Sequence, residues 1–143
     1  MQENKGRQAG FTLIELMIVL FILGLLAALV GPRLMGRVVK AKAKTAQAQI
    51  QLLGTALDLF HLDVGRYPTE EEGLKSLYQR PESLPSWGGP YLDKPPPKDP
   101  WGRDYIYKYP GEHGPYDLYS LGSDGQPGGE GEAADITNWT SGQ

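Results

Sequence analysis

Four carboxylates in one glycine-rich stretch are the residues best placed for chemistry. Asp124, Glu130, Glu132 and Asp135 lie within "LGSDGQPGGEGEAADITNW", Leu121 to Trp139. Hard cations such as Ca2+ take about six to eight oxygens from carboxylates and backbone carbonyls. Glycines let a chain turn so that carbonyls point inward. The D-x-D-x-D-G spacing of an EF-hand is absent. On composition alone the plainer reading is a solvated acidic loop. The sharper one is a site for a hard cation.

A fifth acid raises a different question. Glu15 lies in an apolar run of 20 residues, Phe11 to Val30. A carboxylate in hydrocarbon costs a few kcal/mol or more, so it is normally paired or functional. Alternatively, it snorkels to the headgroups from the first helical turns.

Other chemistry has little to build on. With no cysteine there is neither a disulfide nor a thiolate site. His61 and His113 have no matching partners and do not form a metal pair. We find no Ser/His/Asp set, no phosphate loop and no catalytic pair, so the chain reads as a non-enzyme. Charge is uneven: residues 33–44 carry Arg33, Arg37, Lys40, Lys42 and Lys44 and no acid, whereas residues 45–143 have a net charge of −8. Nucleic acid needs a basic face, so the acidic end argues against it as a partner. The basic segment directly follows the apolar run and is poorly placed as a nucleic-acid arm.

The elements that would position these groups follow from periodicity. About 20 apolar residues in a helix span about 30 Å, enough for a bilayer core. A cleaved secretory signal has a shorter apolar region and a small-residue cleavage site, whereas Gly31-Pro32 follows here. Orientation by charge is ambiguous, because basic residues flank both ends; the positive-inside tendency alone would leave the C-terminal domain cytoplasmic. Pro32 is expected to kink or locally open the helix. Beyond it, Ile50, Leu53, Leu57, Phe60 and Val64 recur at intervals of three or four and predict one buried face. Gly65 ends that helix, which is expected from Thr12 to about Val64.

Thr69 and Glu72 read as a capping box, opening a short helix to about Gln79 that buries Leu74 and Leu77. Seven prolines in residues 81–103 predict a loop there. Pro95-Pro96-Pro97 favours extended geometry and reads as a rigid connector. Asp104–Tyr109 and Tyr116–Leu121 predict two strands joined as an antiparallel hairpin by "PGEHGP". Tyr105, Tyr107 and Tyr109 share one face; covering a small sheet is the plainer role, stacking on a ligand the sharper one.

The order of residues around the apolar run is more specific. "G|FTLIEL", Gly10 to Leu16, resembles the class III signal of type IV pilins and pseudopilins. That resemblance implies cleavage after Gly10 by a prepilin peptidase and N-methylation of Phe11. It also implies that Glu15 pairs with the Phe11 amine of a neighbouring subunit during assembly. Two lone charges in lipid then become one neutral pair. Phe11, Glu15 and Pro32 are the expected assembly residues.

Further motifs narrow the family. "YPT…GL" (Tyr67–Thr69, Gly73, Leu74), "P..DPWG" (Pro96, Asp99–Gly102), "SLGSDG" (Ser120–Gly125) and "ADITNW" (Ala134–Trp139) are similar to the major pseudopilins of type II secretion systems, the general secretion pathway protein G family. The resemblance runs from Gly10 to Trp139. It implies one structural Ca2+ in the C-terminal loop, held by Asp124 and the Leu121 carbonyl. Many members carry Asp or Ser where this chain has Gly131 and Ala133. Glu130, Glu132 or Asp135 would have to substitute.

The expected fold is therefore α+β and pilin-like. A long N-terminal helix, half transmembrane and half amphipathic, packs on a small antiparallel sheet with a loop-rich C-terminal region. Residues 1–10 form a leader, 11–31 the transmembrane segment and 32–143 a periplasmic domain. Within that domain the helix runs to about residue 64, a connecting loop spans 65–103, and the sheet and calcium loop span 104–143. The implied function is a fibre subunit of the inner membrane that polymerises into a periplasmic pseudopilus and supports export of folded proteins. Implied partners are other copies of the chain, the prepilin peptidase, minor pseudopilins, the inner-membrane assembly platform and its ATPase, and lipid. The alternative is the subunit of a surface type IV pilus. Many such pilins close a C-terminal loop with a disulfide, which a chain without cysteine lacks.

Overall fold

The computed structural model describes residues 10–139. The first nine residues of the expected leader lie outside the described residues. The chain divides into two compact units, Met1–Arg37 and Val38–Gln143.

One helix, α1, covers Leu13–Val64, 52 residues. It begins one residue after the expected start and ends where Gly65 was expected to stop it. It continues as helix through Pro32, where a kink or a local opening was expected, and the opening does not occur. A proline removes one backbone N–H and so one bond of the ladder; here the neighbouring bonds carry the helix across. An 18-residue window of α1 has a mean hydropathy of 2.9 and is entirely unburied, long and apolar enough to cross a membrane.

The second unit is built on the predicted face of α1. Ile50, Leu53, Leu57 and Phe60 are each at most 1% exposed, and Ala46 and Ala56 join them. Leu77, Leu84, Tyr105, Tyr116 and Leu118 complete this core, with Val64 half-buried against it. Truncating one of these large side chains would cost about 2–5 kcal/mol.

The sheet has three strands in the order β1-β2-β3: Ile106–Lys108, Asp117–Ser120 and Ile136–Thr137. β1 and β2 form the predicted antiparallel hairpin, with Tyr107 opposite Leu118. Both strands are shorter than expected. β3 was not foreseen: it pairs antiparallel to β2, with Ser120 opposite Ile136. Two residues cannot show an alternating pattern, so no periodicity marks this strand.

The segment after α1 corrects the expectation of a second helix. Thr69 and Glu72 do form the reciprocal box: Thr69 N–H donates to Glu72 Oε2 (2.9 Å) and Glu72 N–H to Thr69 Oγ1 (3.2 Å). A turn follows, then only one 3-10 turn, Leu74–Leu77. Gly73 at φ +55° breaks the path between them. Arg66 also clamps Glu72 through two hydrogen bonds, at 2.7 and 2.8 Å, which spends the box on closing a turn.

The proline-rich stretch is held by its aromatics. Trp87 Nε1 donates to the Ser76 carbonyl (2.7 Å) and Tyr91 Oη to Asp63 on α1 (2.8 Å). Tyr91 also meets Phe60 edge-on, with ring centroids 5.7 Å apart. Buried polar tips that find partners let such rings anchor a loop lacking regular structure.

Candidate functional site

The head of α1 is the first site. Its residues are exposed, as a lipid-facing helix must be outside a bilayer. Thr12 is the N-cap: its N–H donates to Glu15 Oε2 (3.4 Å), and Glu15 N–H donates to Thr12 Oγ1 (3.2 Å). This capping box satisfies amides that lipid would leave unpaired. Gly10 and Phe11 stand just ahead, outside the helix and exposed.

The second site is the acidic loop after β2. Leu121 accepts an N–H from Gly125 (3.2 Å) on its carbonyl, and Asp124 caps the same turn by accepting from Gln126 N–H (3.0 Å). Gly122 takes φ +63°, and a Cβ there would lie 2.6 Å from the Ala134 carbonyl oxygen. The start and end of the loop are therefore pressed together. Asp135 returns on Gly128: its N–H donates to the Gly128 carbonyl (3.1 Å) and its Oδ2 accepts from Gly128 N–H (2.9 Å). The other oxygen, Asp135 Oδ1, is buried and accepts nothing. Ser123 Oγ ties across to the Glu132 carbonyl (2.8 Å), while the Glu130 and Glu132 side chains are exposed.

These donors decide what kind of ion fits. Among the described residues no three acidic or histidine side chains converge as ligands. The four carboxylates therefore do not form one cluster. A closed loop with an orphaned buried carboxylate oxygen still fits a hard cation that takes most of its oxygens from backbone and water.

The tyrosine face is core. Tyr107 Oη donates to the Pro68 carbonyl (2.7 Å), and Tyr105 is 6% exposed with its hydroxyl bonded to Gln49 on α1. Burial, more than any nearby charge, pushes the Tyr116 phenol up to about 12. The histidines are apart in role: His61 stacks on Tyr67, and His113 stacks on Trp139 at 4.1 Å.

Two buried carboxylates escaped the sequence reading. Asp117 accepts the N–H groups of Glu112 (3.1 Å) and His113 (3.1 Å) and lies 3.0 Å from His113 Nδ1. Burial opposes its charge, yet these bonds and His113 hold the carboxyl below its ordinary range. Asp99 accepts from Trp101, Arg103 and Ser120. Both belong to quoted motifs or a predicted strand, but their burial only follows from the tertiary fold.

Comparison with known proteins covers both the apolar anchor and the folded unit. Residues 5–31 match the prokaryotic N-terminal methylation motif, and residues 33–139 match the family model of type II secretion system protein G. Type II secretion system core protein G of Pseudomonas aeruginosa is 47% identical over 139 residues, covering 95% of this chain and 98% of that one. Its namesake in Vibrio cholerae is 48% identical over 136 residues, covering 93% and 92%. Among solved structures, the crystal structure of the major pseudopilin from the type 2 secretion system of enterohaemorrhagic Escherichia coli has a TM-score of 0.64 at 38% identity, covering 77% of this chain and 92% of that one. With a motif match at the anchor, a model match over the folded unit and near full-length relatives, the chain belongs to the type II secretion system protein G family.

Proposed function

We propose that the chain is the major pseudopilin of a type II secretion system, a structural subunit and not an enzyme. The observation that carries this is the family match over 33–139, because the N-terminal motif alone would equally suit a type IV pilin. An apolar helix that leaves its first 18-residue span unburied supports a membrane-held precursor.

The finer reading adds steps to this. Prepilin peptidase cuts after Gly10 and methylates the Phe11 amine. The subunit waits in the inner membrane with a single span and its C-terminal domain in the periplasm. Copies are then drawn into a helical fibre by the assembly platform and its ATPase, with minor pseudopilins as further partners. Such contacts are heterologous and do not close, as filaments require. In the fibre Glu15 pairs with the Phe11 amine of a neighbour.

The acidic loop takes one Ca2+ in this reading, through the Leu121 carbonyl, Asp124 and the free oxygen of Asp135, with backbone and water oxygens completing the shell in place of the exposed Glu130 and Glu132. Bound calcium would supply the cohesion that a loop with little apolar content lacks.

Deleting the gene tests the function. Folded exoproteins should then accumulate in the periplasm, and the restored gene should release them. Normal secretion with loss of a surface fibre would favour the pilin reading.

A further inference from the structure

The turn at 99–103 closes on a buried carboxylate. Asp99, 4% exposed, accepts on Oδ1 from Trp101 N–H (3.0 Å) and Arg103 N–H (2.9 Å). On Oδ2 it accepts the hydroxyl of Ser120 at 2.6 Å. Ser120 Oγ in turn accepts the N–H of Gly122 (3.3 Å). From the same turn, Arg103 Nη2 donates to the Gly122 carbonyl. Its Nη1 lies against Gly125, where a Cβ would be only 2.8 Å away.

Gly122 is thus gripped at both its N–H and its carbonyl. It lies between Leu121 and Asp124, the two donors expected at the start of the cation loop. The loop has little apolar content, so packing cannot hold those donors. We infer that Asp99, Ser120 and Arg103 are positioning residues that set the geometry of a Ca2+ site in the 121–135 loop. This rests on the calcium reading above. Outer partners of metal ligands orient the donors, and their loss typically costs about 10–100-fold in affinity.

Arg103 makes the inference sharp, because charge alone predicts the reverse. A guanidinium beside a cation repels it. Arg103→Met should therefore tighten calcium binding if only charge matters, and loosen it if the clasp positions the loop.

The test uses the full chain in detergent. Calcium is titrated by calorimetry, and melting is followed with Ca2+ and with chelator. Ser120→Ala and Arg103→Met are each expected to raise the calcium Kd about tenfold. The gap between the calcium-loaded and chelated melting points should narrow. A merely structural role would lower both melting points together and leave Kd unchanged. Should wild type bind calcium and Arg103→Met bind it equally or more tightly, the clasp is refuted and the calcium reading survives. A wild type that binds none refutes both. Arg103, 38% exposed, is the safer variant if Ser120→Ala does not fold.

Discussion

Thr12 and Glu15 hold one another at the head of α1, each giving its N–H to the other's side chain, at 3.4 and 3.2 Å. Glu15 is therefore not a bare charge awaiting a partner. Within one subunit it already satisfies a helix amide inside an apolar run, where no water would do so. Capping and charge pairing are separable duties, because Gln fills the third position of a capping box as Glu does.

That separation gives a test of the pairing account. Glu15→Gln and Glu15→Ala should both be cleaved and inserted, and both should fail to form fibres. If Glu15→Gln assembles normally while Glu15→Ala does not, capping is the essential role. Normal fibres from both would leave snorkelling as the explanation. Electron microscopy of cells overproducing each variant reads the outcome.

Processing has its own signature. The mature chain should begin at N-methyl-Phe11, read as a mass shift by mass spectrometry of fibre-derived protein. A chain retaining residue 1 would refute cleavage after Gly10.

Particular residues show how much of this was legible in the sequence. The face Ile50, Leu53, Leu57, Phe60 was readable because a helix repeats its geometry over many turns, and all four are buried. The same holds for the hairpin, whose two strands flank a marked turn. Thr69 and Glu72 were read correctly as a box and wrongly as the start of a helix, because Arg66 holds Glu72 into a turn and Gly73 takes a left-handed conformation that breaks the helical path. Ile136–Thr137 is too short for a pattern and is a strand only because β2 offers it an edge. At the acidic loop, composition suggested four carboxylate donors. The backbone decides which can cooperate, and it leaves only Asp135 with a buried free oxygen.

Calcium should appear in stability. At about a hundred times Kd, a ligand that binds only the folded chain adds about 2.7 kcal/mol. The melting point of the full chain in detergent should fall when chelator replaces Ca2+, and Asp124→Ala should erase the difference. A melting point indifferent to calcium would mean the loop is only a loop.

Acid should weaken the Arg66–Glu72 clamp. The side-chain hydrogen bond from Arg66 lowers the Glu72 pKa, against burial, which raises it. A depressed carboxyl adds stability that is present above its unfolded pKa and is lost as pH falls through the folded one. With an ordinary Glu near about 4.3, the contribution should be complete above about pH 5 and fade below about pH 4. Arg66 is 35% exposed, so solvent screens the pair and about 1 kcal/mol is a fair scale. Glu72→Gln should therefore be less stable than wild type at neutral pH, with the difference shrinking at about pH 3. A difference that stays constant with pH would refute the clamp's role.

The cationic band after the span offers the last prediction. Arg33, Arg37, Lys40 and Lys44 are exposed, and none of the five basic residues of 33–44 forms an ion pair among the described residues. Beyond them, residues 45–143 carry a net charge of −8. In a fibre of identical subunits, unpaired cations of one copy are free to meet the acidic domain of another. Complementary charge fixes register and disfavours wrong contacts more than it adds affinity. Reversing Lys40, Lys42 and Lys44 to Glu should therefore leave the monomer folded and abolish crosslinked fibres, since like charges would now face each other. Wild-type fibre yield from the triple reversal, with an unchanged melting point, would show that the band meets lipid headgroups and not a neighbouring subunit.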